Sequence, residues 1–137
     1  MADVLVVLDT NVFVAAGFNP ASASARLLTA VRHGQLPMVW NEATRREIEY
    51  IVRKIPRLDW ADFHDLFHAS AEFTSPTDPA SFAYIPDPDD RKFIALAAAA
   101  GATLVTNDAH LLADRAHAPI PILTPSEWFA RLGRSED

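Results

Sequence analysis

The run Val4-Leu5-Val6-Val7-Leu8 is apolar without alternation and stops abruptly at Asp9. A short, continuous, β-branched run of this kind marks a strand covered on both faces, as in a parallel sheet. The design returns at Thr103-Leu104-Val105-Thr106, followed by Asn107-Asp108. Elsewhere the apolar positions fall into helical stripes. Residues 12–17 suffice for one or two turns. Leu27, Leu28 and Val31 predict a helix from the caps Ser22 and Ser24 to about His33, stopped by Gly34. Ile48, Ile51, Val52 and Ile55 line a helix over 42–55, capped by Asn41 and ended by Pro56. Trp60, Phe63, Phe67 and Ala71 predict another over 59–71. Asp87 as cap and Pro88 at the first position start a helix that runs through Phe93, Ile94, Ala97 and Ala98 to Gly101. A short helix follows Asp108, and a last one runs from Pro125 to about residue 132. Residues 37–40, 72–74 and 120–123 read as further short strands. Residues 75–88, with Pro76, Pro79, Pro86 and Pro88, form a loop.

Strands alternating with helices at this spacing predict a three-layer α/β/α sandwich around a central, mainly parallel sheet. The 137 residues, half of them apolar, fit one domain over 1–137 with a sizeable core. The chain has no cysteine, which excludes disulfides, a thiol nucleophile and thiolate metal ligands and points to the cytoplasm. No basic segment precedes the first strand, so no secretory signal is expected. No apolar run approaches the roughly 18 residues of a membrane helix, so no membrane partner is expected either. The net charge of −6 argues at first against a nucleic-acid partner. The charge is unevenly spread, however. Residues 26–57 carry seven Arg or Lys against three acids. Acids elsewhere that face a divalent cation would also be partly cancelled.

Asp9 and Asp108 each end a strand, where open α/β sheets gather their ligands. Asp90 lies in the first turn of its helix, on the line through Ile94, Ala97 and Gly101, and so faces the core. Glu47 lies one turn before Ile51 and two before Ile55, while Glu49 borders the other flank; periodicity alone leaves both open. Four carboxylates at one sheet edge either raise their pKa values or recruit a cation. All-oxygen ligation suits Mg2+ or Mn2+, which can orient a water and stabilise charge on a phosphoryl group. Phosphodiester hydrolysis is the chemistry such a site serves.

Plainer roles compete for some of these residues. Asp9 could be only a helix cap, although the repeat of the pattern at Asp108 weakens that account. Asp87 reads as a cap and Asp89 as a favourable charge near a helix N-terminus. His64 and His68 have the i, i+4 spacing of a metal pair but lack a third ligand in register. His110 could reach the site from its loop. Arg45, Arg46, Arg53 and Lys54, with Arg57, serve equally well as a solvated helix face or as a strip contacting nucleic-acid phosphates. Trp40, Trp60 and Trp128 read as core or interface residues rather than base-stacking platforms. Four glycines, wrongly spaced, exclude a P-loop or a dinucleotide motif.

Three blocks together resemble the PIN-domain ribonucleases found as toxins of bacterial toxin–antitoxin pairs. Leu8-Asp9-Thr10-Asn11-Val12 matches the opening motif of that family. The stretch from Asp87 through Asp90 to Ala97 matches its acidic helix start, and Gly101 to Asp108 its last acidic strand end. The resemblance places the intervening helix acid on Glu47, although the family more often has an aromatic directly after it, where this chain has Ile48. It implies a Mg2+- or Mn2+-dependent endoribonuclease. Asp9, Glu47, Asp90 and Asp108 would hold the metal, with Thr10, Asn11, Thr106 and Asn107 orienting them or contacting substrate. It also implies an RNA substrate, a cognate antitoxin and a homodimer. A phosphatase of the haloacid dehalogenase type would need an acid at position 11, where Asn11 stands, and a receiver domain would need a lysine after Thr106. A non-catalytic binding protein of the same fold is the remaining alternative, disfavoured by the intact set of acids.

Overall fold

The computed structural model describes residues 4–136, with side chains as far as Arg131. Three strands form the sheet: β1 (Val6–Leu8), β2 (Thr103–Val105) and β3 (Ile122–Leu123). They are parallel, in the order β1-β2-β3. Val6 lies opposite Thr103, Leu8 opposite Val105, and Leu104 opposite Ile122. Every residue of β1 and β2 is buried, so helices cover both faces and the architecture is the expected three-layer sandwich. Pro119 and Pro121 confine β3 to two residues.

The expected strands at 37–40 and 72–74 shrink to single bridges. Val6 pairs with Met38, and Trp40 with Glu72. Pro37 cannot donate to the ladder, which leaves Val6 N–H to the Pro37 carbonyl and Val39 N–H to the Val6 carbonyl.

The helices are α1 (Thr10–Phe18), α2 (Ala23–Arg32), α3 (Glu42–Lys54), α4 (Pro88–Ala100), α5 (Ala109–Ala113) and α6 (Pro125–Glu136), the last running beyond the expected residue 132. Local chemistry sets most of their ends. Ser22 Oγ accepts from Ala25 N–H at the start of α2. Asn41 and Thr44 cap α3 reciprocally. Asp87 accepts from Asp89 N–H at the start of α4, and Gly101 closes that helix in the left-handed region at φ +68°.

The expected helix over 59–71 does not form. The chain makes three separate 3-10 turns instead, Trp60–Asp62, His64–Leu66 and Ala69–Ala71. The i, i+4 relation of His64 and His68 on one helical face disappears with it. The reason is aromatic packing. Phe67 stacks on Phe13 at 5.7 Å and meets Trp40 edge-on at 5.6 Å, and Phe63 meets Phe13 edge-on at 6.1 Å. Trp40 Nε1 donates to the His68 carbonyl. These contacts outweigh a helix whose Asp, His and aromatic residues are middling helix formers. Phe13 is fully buried at the hub of the cluster. Phe13→Ala is therefore expected to cost about 3–5 kcal/mol in urea unfolding. A loss below about 1 kcal/mol would mean that the aromatic cluster does not anchor the turns.

Candidate metal centre

The site grows out of the parallel register. With Leu8 beside Val105, the next residues on the two strands, Asp9 and Thr106, leave the sheet side by side. Asp9 N–H donates to the Val105 carbonyl, which fixes the backbone there. Asp9 Oδ1 accepts from Thr10 N–H at 2.8 Å as the cap of α1, and Oδ2 accepts from the Thr106 hydroxyl at 2.8 Å. Thr106 Oγ1 in turn accepts from Asp108 N–H at 2.9 Å. Asn11 completes the bracket: its Nδ2 lies 3.4 Å from both Asp9 Oδ2 and Thr106 Oγ1, and its Oδ1 accepts from Asn107 N–H at 3.0 Å. Asn107 Nδ2 reaches Ser24 Oγ at 3.4 Å.

Asp90 enters from the first turn of α4. The backbone that carries it is held by the Asp87 cap and by Arg91, whose guanidinium donates to the Ile85 and Ala83 carbonyls. Asp108 is the cap of α5, accepting from His110 N–H at 2.8 Å. Asp9, Asp90 and Asp108 each offer an oxygen, and the three oxygens lie within 4.8 Å of one another. Ligand oxygens on opposite sides of Mg2+ stand about 4.2 Å apart, so the cluster is only slightly wider than such an ion requires.

The electrostatics point the same way. Burial pushes the Asp9 carboxyl up to about 6; the Thr106 and Thr10 hydrogen bonds pull it back, and the charges of Asp108 and Glu47 add to the rise. Asp90 is pushed up to about 7, first by burial and then by Asp9, Asp108 and Asp87. The protein supplies too little positive charge for this group of acids. The donor set fits a hard divalent cation. One more observation agrees: Thr10 Oγ1 is buried without a hydrogen-bond partner, and Thr10 lines the same cleft.

That cleft has a volume of about 390 Å³, and its apolar wall is Ile51, Ile55 and Phe93. A larger hollow of about 540 Å³ lies beside the sheet edge, near Leu5, Met38 and Phe73. Its titratable linings are His68 and Glu72, so the acid chemistry belongs to the smaller cleft.

Of the two candidate acids on α3, Glu47 lines the cleft. It accepts from Lys92 Nζ at 3.0 Å. Glu49 is engaged by Arg45 at 2.6 Å and Arg53 at 2.7 Å. Arg45 and Arg46 also bind Glu42, and Lys54 Nζ sits 4.8 Å from the Tyr50 ring. None of these four basic residues lines the cleft, so the structure does not bring them to the carboxylates. His110 Nδ1 stands 3.9 Å from Asp108 Oδ1 at the exposed rim. Trp40 and Trp128 are buried and Trp60 is half-buried, as core residues. Lys92 was not singled out by sequence reasoning. Its only local signal is a helical i, i+3 relation to Asp89, and nothing along the chain shows that it reaches α3.

The family model for the PIN domain matches residues 5–110. No curated protein matches the chain significantly. Several solved structures do. VapBC2 from Rickettsia felis, bound to a DNA fragment from their promoter, is 20% identical with a TM-score of 0.59, over 87% of this chain and 96% of that one. PAE2754 from Pyrobaculum aerophilum is 18% identical with a TM-score of 0.60, over 96% and 90%. FitAcB from Neisseria gonorrhoeae is 18% identical with a TM-score of 0.57, over 88% and 97%. At these identities the likeness is one of fold.

The raised carboxyls make stability depend on pH in a defined direction. The folded chain holds more protons than the unfolded one between the ordinary carboxylate value near 3.8 and the raised values of about 6 and 7. This contribution is present below that window and is lost as pH rises through it. Chelator-treated protein should thus melt lower at pH 8 than at pH 5.5. Asp90→Asn should flatten that slope and raise the pH 8 Tm by about 2–4 °C, because Asp90 is only partly buried. A pH-independent Tm, or a lower Tm for the variant at pH 8, would contradict the repulsion.

Proposed function

Because the chain belongs to the PIN domain family, we propose that it is a Mg2+- or Mn2+-dependent endoribonuclease acting as the toxin of a toxin–antitoxin pair. The carrying observation is the meeting of Asp9, Asp90 and Asp108 within 4.8 Å at one cleft. These three side chains would hold the ion, which would supply water activation and charge stabilisation on the phosphoryl group.

The remaining groups position. Thr106 and Thr10 N–H hold Asp9 in one rotamer, one at each carboxylate oxygen. Asn11 ties the start of α1 to the turn after β2, so the two strand-end acids keep their separation. Ile51, Ile55 and Phe93 exclude solvent from one side, which strengthens each charge interaction within.

RNA as substrate, a cognate antitoxin and a homodimer come from the resemblance of the three motif blocks, and an action in the cytoplasm from the absence of cysteine. The likeness to VapBC2, whose structure contains promoter DNA, supports placing this chain in a comparable regulated complex. Among the described residues no helix is long and apolar enough to cross a membrane. Phosphoryl transfer of the haloacid dehalogenase type is disfavoured, since Asn11 is committed to Asp9, Thr106 and Asn107.

The purified, antitoxin-free chain should cleave RNA with Mn2+ or Mg2+ and stop in EDTA. Asp9→Asn and Asp108→Asn should each lower the rate by about 100-fold or more, because each removes a ligand of the ion. Thr106→Val, which removes only the hydroxyl that holds Asp9, should lower it by about 10-fold. Absence of cleavage on total RNA with either metal would overturn the assignment.

A further inference from the structure

We propose that Lys92 withholds Glu47 from the cation by pairing with it, so that the site takes a single divalent ion and Glu47 stays outside its coordination. The inference rests on the metal-nuclease reading and sharpens it. Six carboxylates line the cleft, yet only Asp9, Asp90 and Asp108 cluster within 4.8 Å, which leaves Glu47, Asp87 and Asp89 outside the cluster. Glu47 stands apart from them because it is already paired. Lys92 Nζ lies 3.0 Å from Glu47 Oε1 and 3.9 Å from Asp89 Oδ1. The Lys92 and Glu47 side chains are only 24% and 18% exposed, so the pair is shielded from solvent.

The placement follows from the backbone. Lys92 is one helical turn after Asp89 on α4, and its side chain reaches across to α3. Glu47 comes from α3, which packs against α4. In two-metal sites the ions stand about 3.5–4 Å apart and need a carboxylate to share or to hold the second one. Asp87 is engaged as the cap of α4 and the Asp89 side chain is 70% exposed, so Glu47 is the carboxylate best placed for that task, and the Lys92 ammonium holds it instead. Lys suits this role: it is a compact point charge on a flexible stem, where Arg would present a wide fork. A purely structural clamp between α3 and α4 would give the same ion pair but would not set the number of metal ions.

The test is a count of ions. Chelator-stripped full chain is titrated with Mn2+ by calorimetry, and bound Mn2+ is counted by electron paramagnetic resonance. The wild type is expected to take one ion, Lys92→Met a second, and Lys92→Arg one. The double variant Glu47→Gln with Lys92→Met should return to one, because the second ion depends on the released carboxylate. Glu47→Gln alone should bind one ion with a Kd within about twofold of wild type, where loss of a true ligand would weaken it by about tenfold or more. Two ions in the wild type, a single ion in folded Lys92→Met, or a second ion that survives in the double variant would each overturn the proposal. So would a tenfold loss in Glu47→Gln, which also decides the matter if Lys92→Met does not fold. No ion in the wild type would instead overturn the metal reading under Proposed function.

Discussion

Asp9 is a carboxylate placed where a carboxylate is costly, buried at the end of β1 with two more acids beside it. The polar contacts around it act against that cost. The Thr106 hydroxyl spends its single proton on Asp9 and accepts from the Asp108 backbone with its lone pairs. The N-terminus of α1 contributes Thr10 N–H and the favourable end of the helix dipole. What remains uncompensated shows as the raised carboxyls of Asp9 and Asp90. The hydrophobic sandwich carries this electrostatic burden, and a divalent cation is the species that would relieve it.

The fold delivers the three acids by separate local devices that share one sheet edge. β1 and β2 bring Asp9 and Asp108 through their register. α4 brings Asp90 through an N-terminus set by Asp87, Pro88 and the grip of Arg91 on the preceding loop. Capping and metal ligation, which compete as accounts of a lone Asp after a strand, coexist here. Asp9 uses Oδ1 to cap α1 and Oδ2 to accept from Thr106 while offering an oxygen to the cluster, and Asp108 caps α5 while offering another. A carboxylate has enough lone pairs for both tasks.

The charge pattern along α3 is resolved by geometry rather than by count. Glu42, Arg45, Arg46, Glu49 and Arg53 pair with one another in a ladder outside the cleft. Such exposed pairs contribute little to stability. Their consequence is that the excess of basic residues over 26–57 is not a free electropositive strip facing the acids. An anionic substrate entering the cleft meets carboxylates first, which makes the bound cation the main attraction there.

Much of this protein was legible along the chain. The unbroken apolar runs before Asp9 and Asp108, the caps at Ser22, Asn41 and Asp87, and the stop at Gly101 are short-range effects, and each sits where sequence chemistry put it. The inward direction of Asp90 followed from helical period alone. Long-range contacts decided the rest. The aromatic spacing over 59–71 fits a helix, but Phe63 and Phe67 meet Phe13 from turns, a competition that no local preference reveals. Strand pairing at 37–40 depended on partners elsewhere in the chain and was cut short by Pro37. Glu47 and Glu49 were equivalent on the helical wheel of α3. Only the packing of α3 against α4, with Lys92 reaching across, put one of them in the cleft and left the other to arginines. A chain states which of its groups are charged; which charges meet is set by the packing of elements distant in sequence.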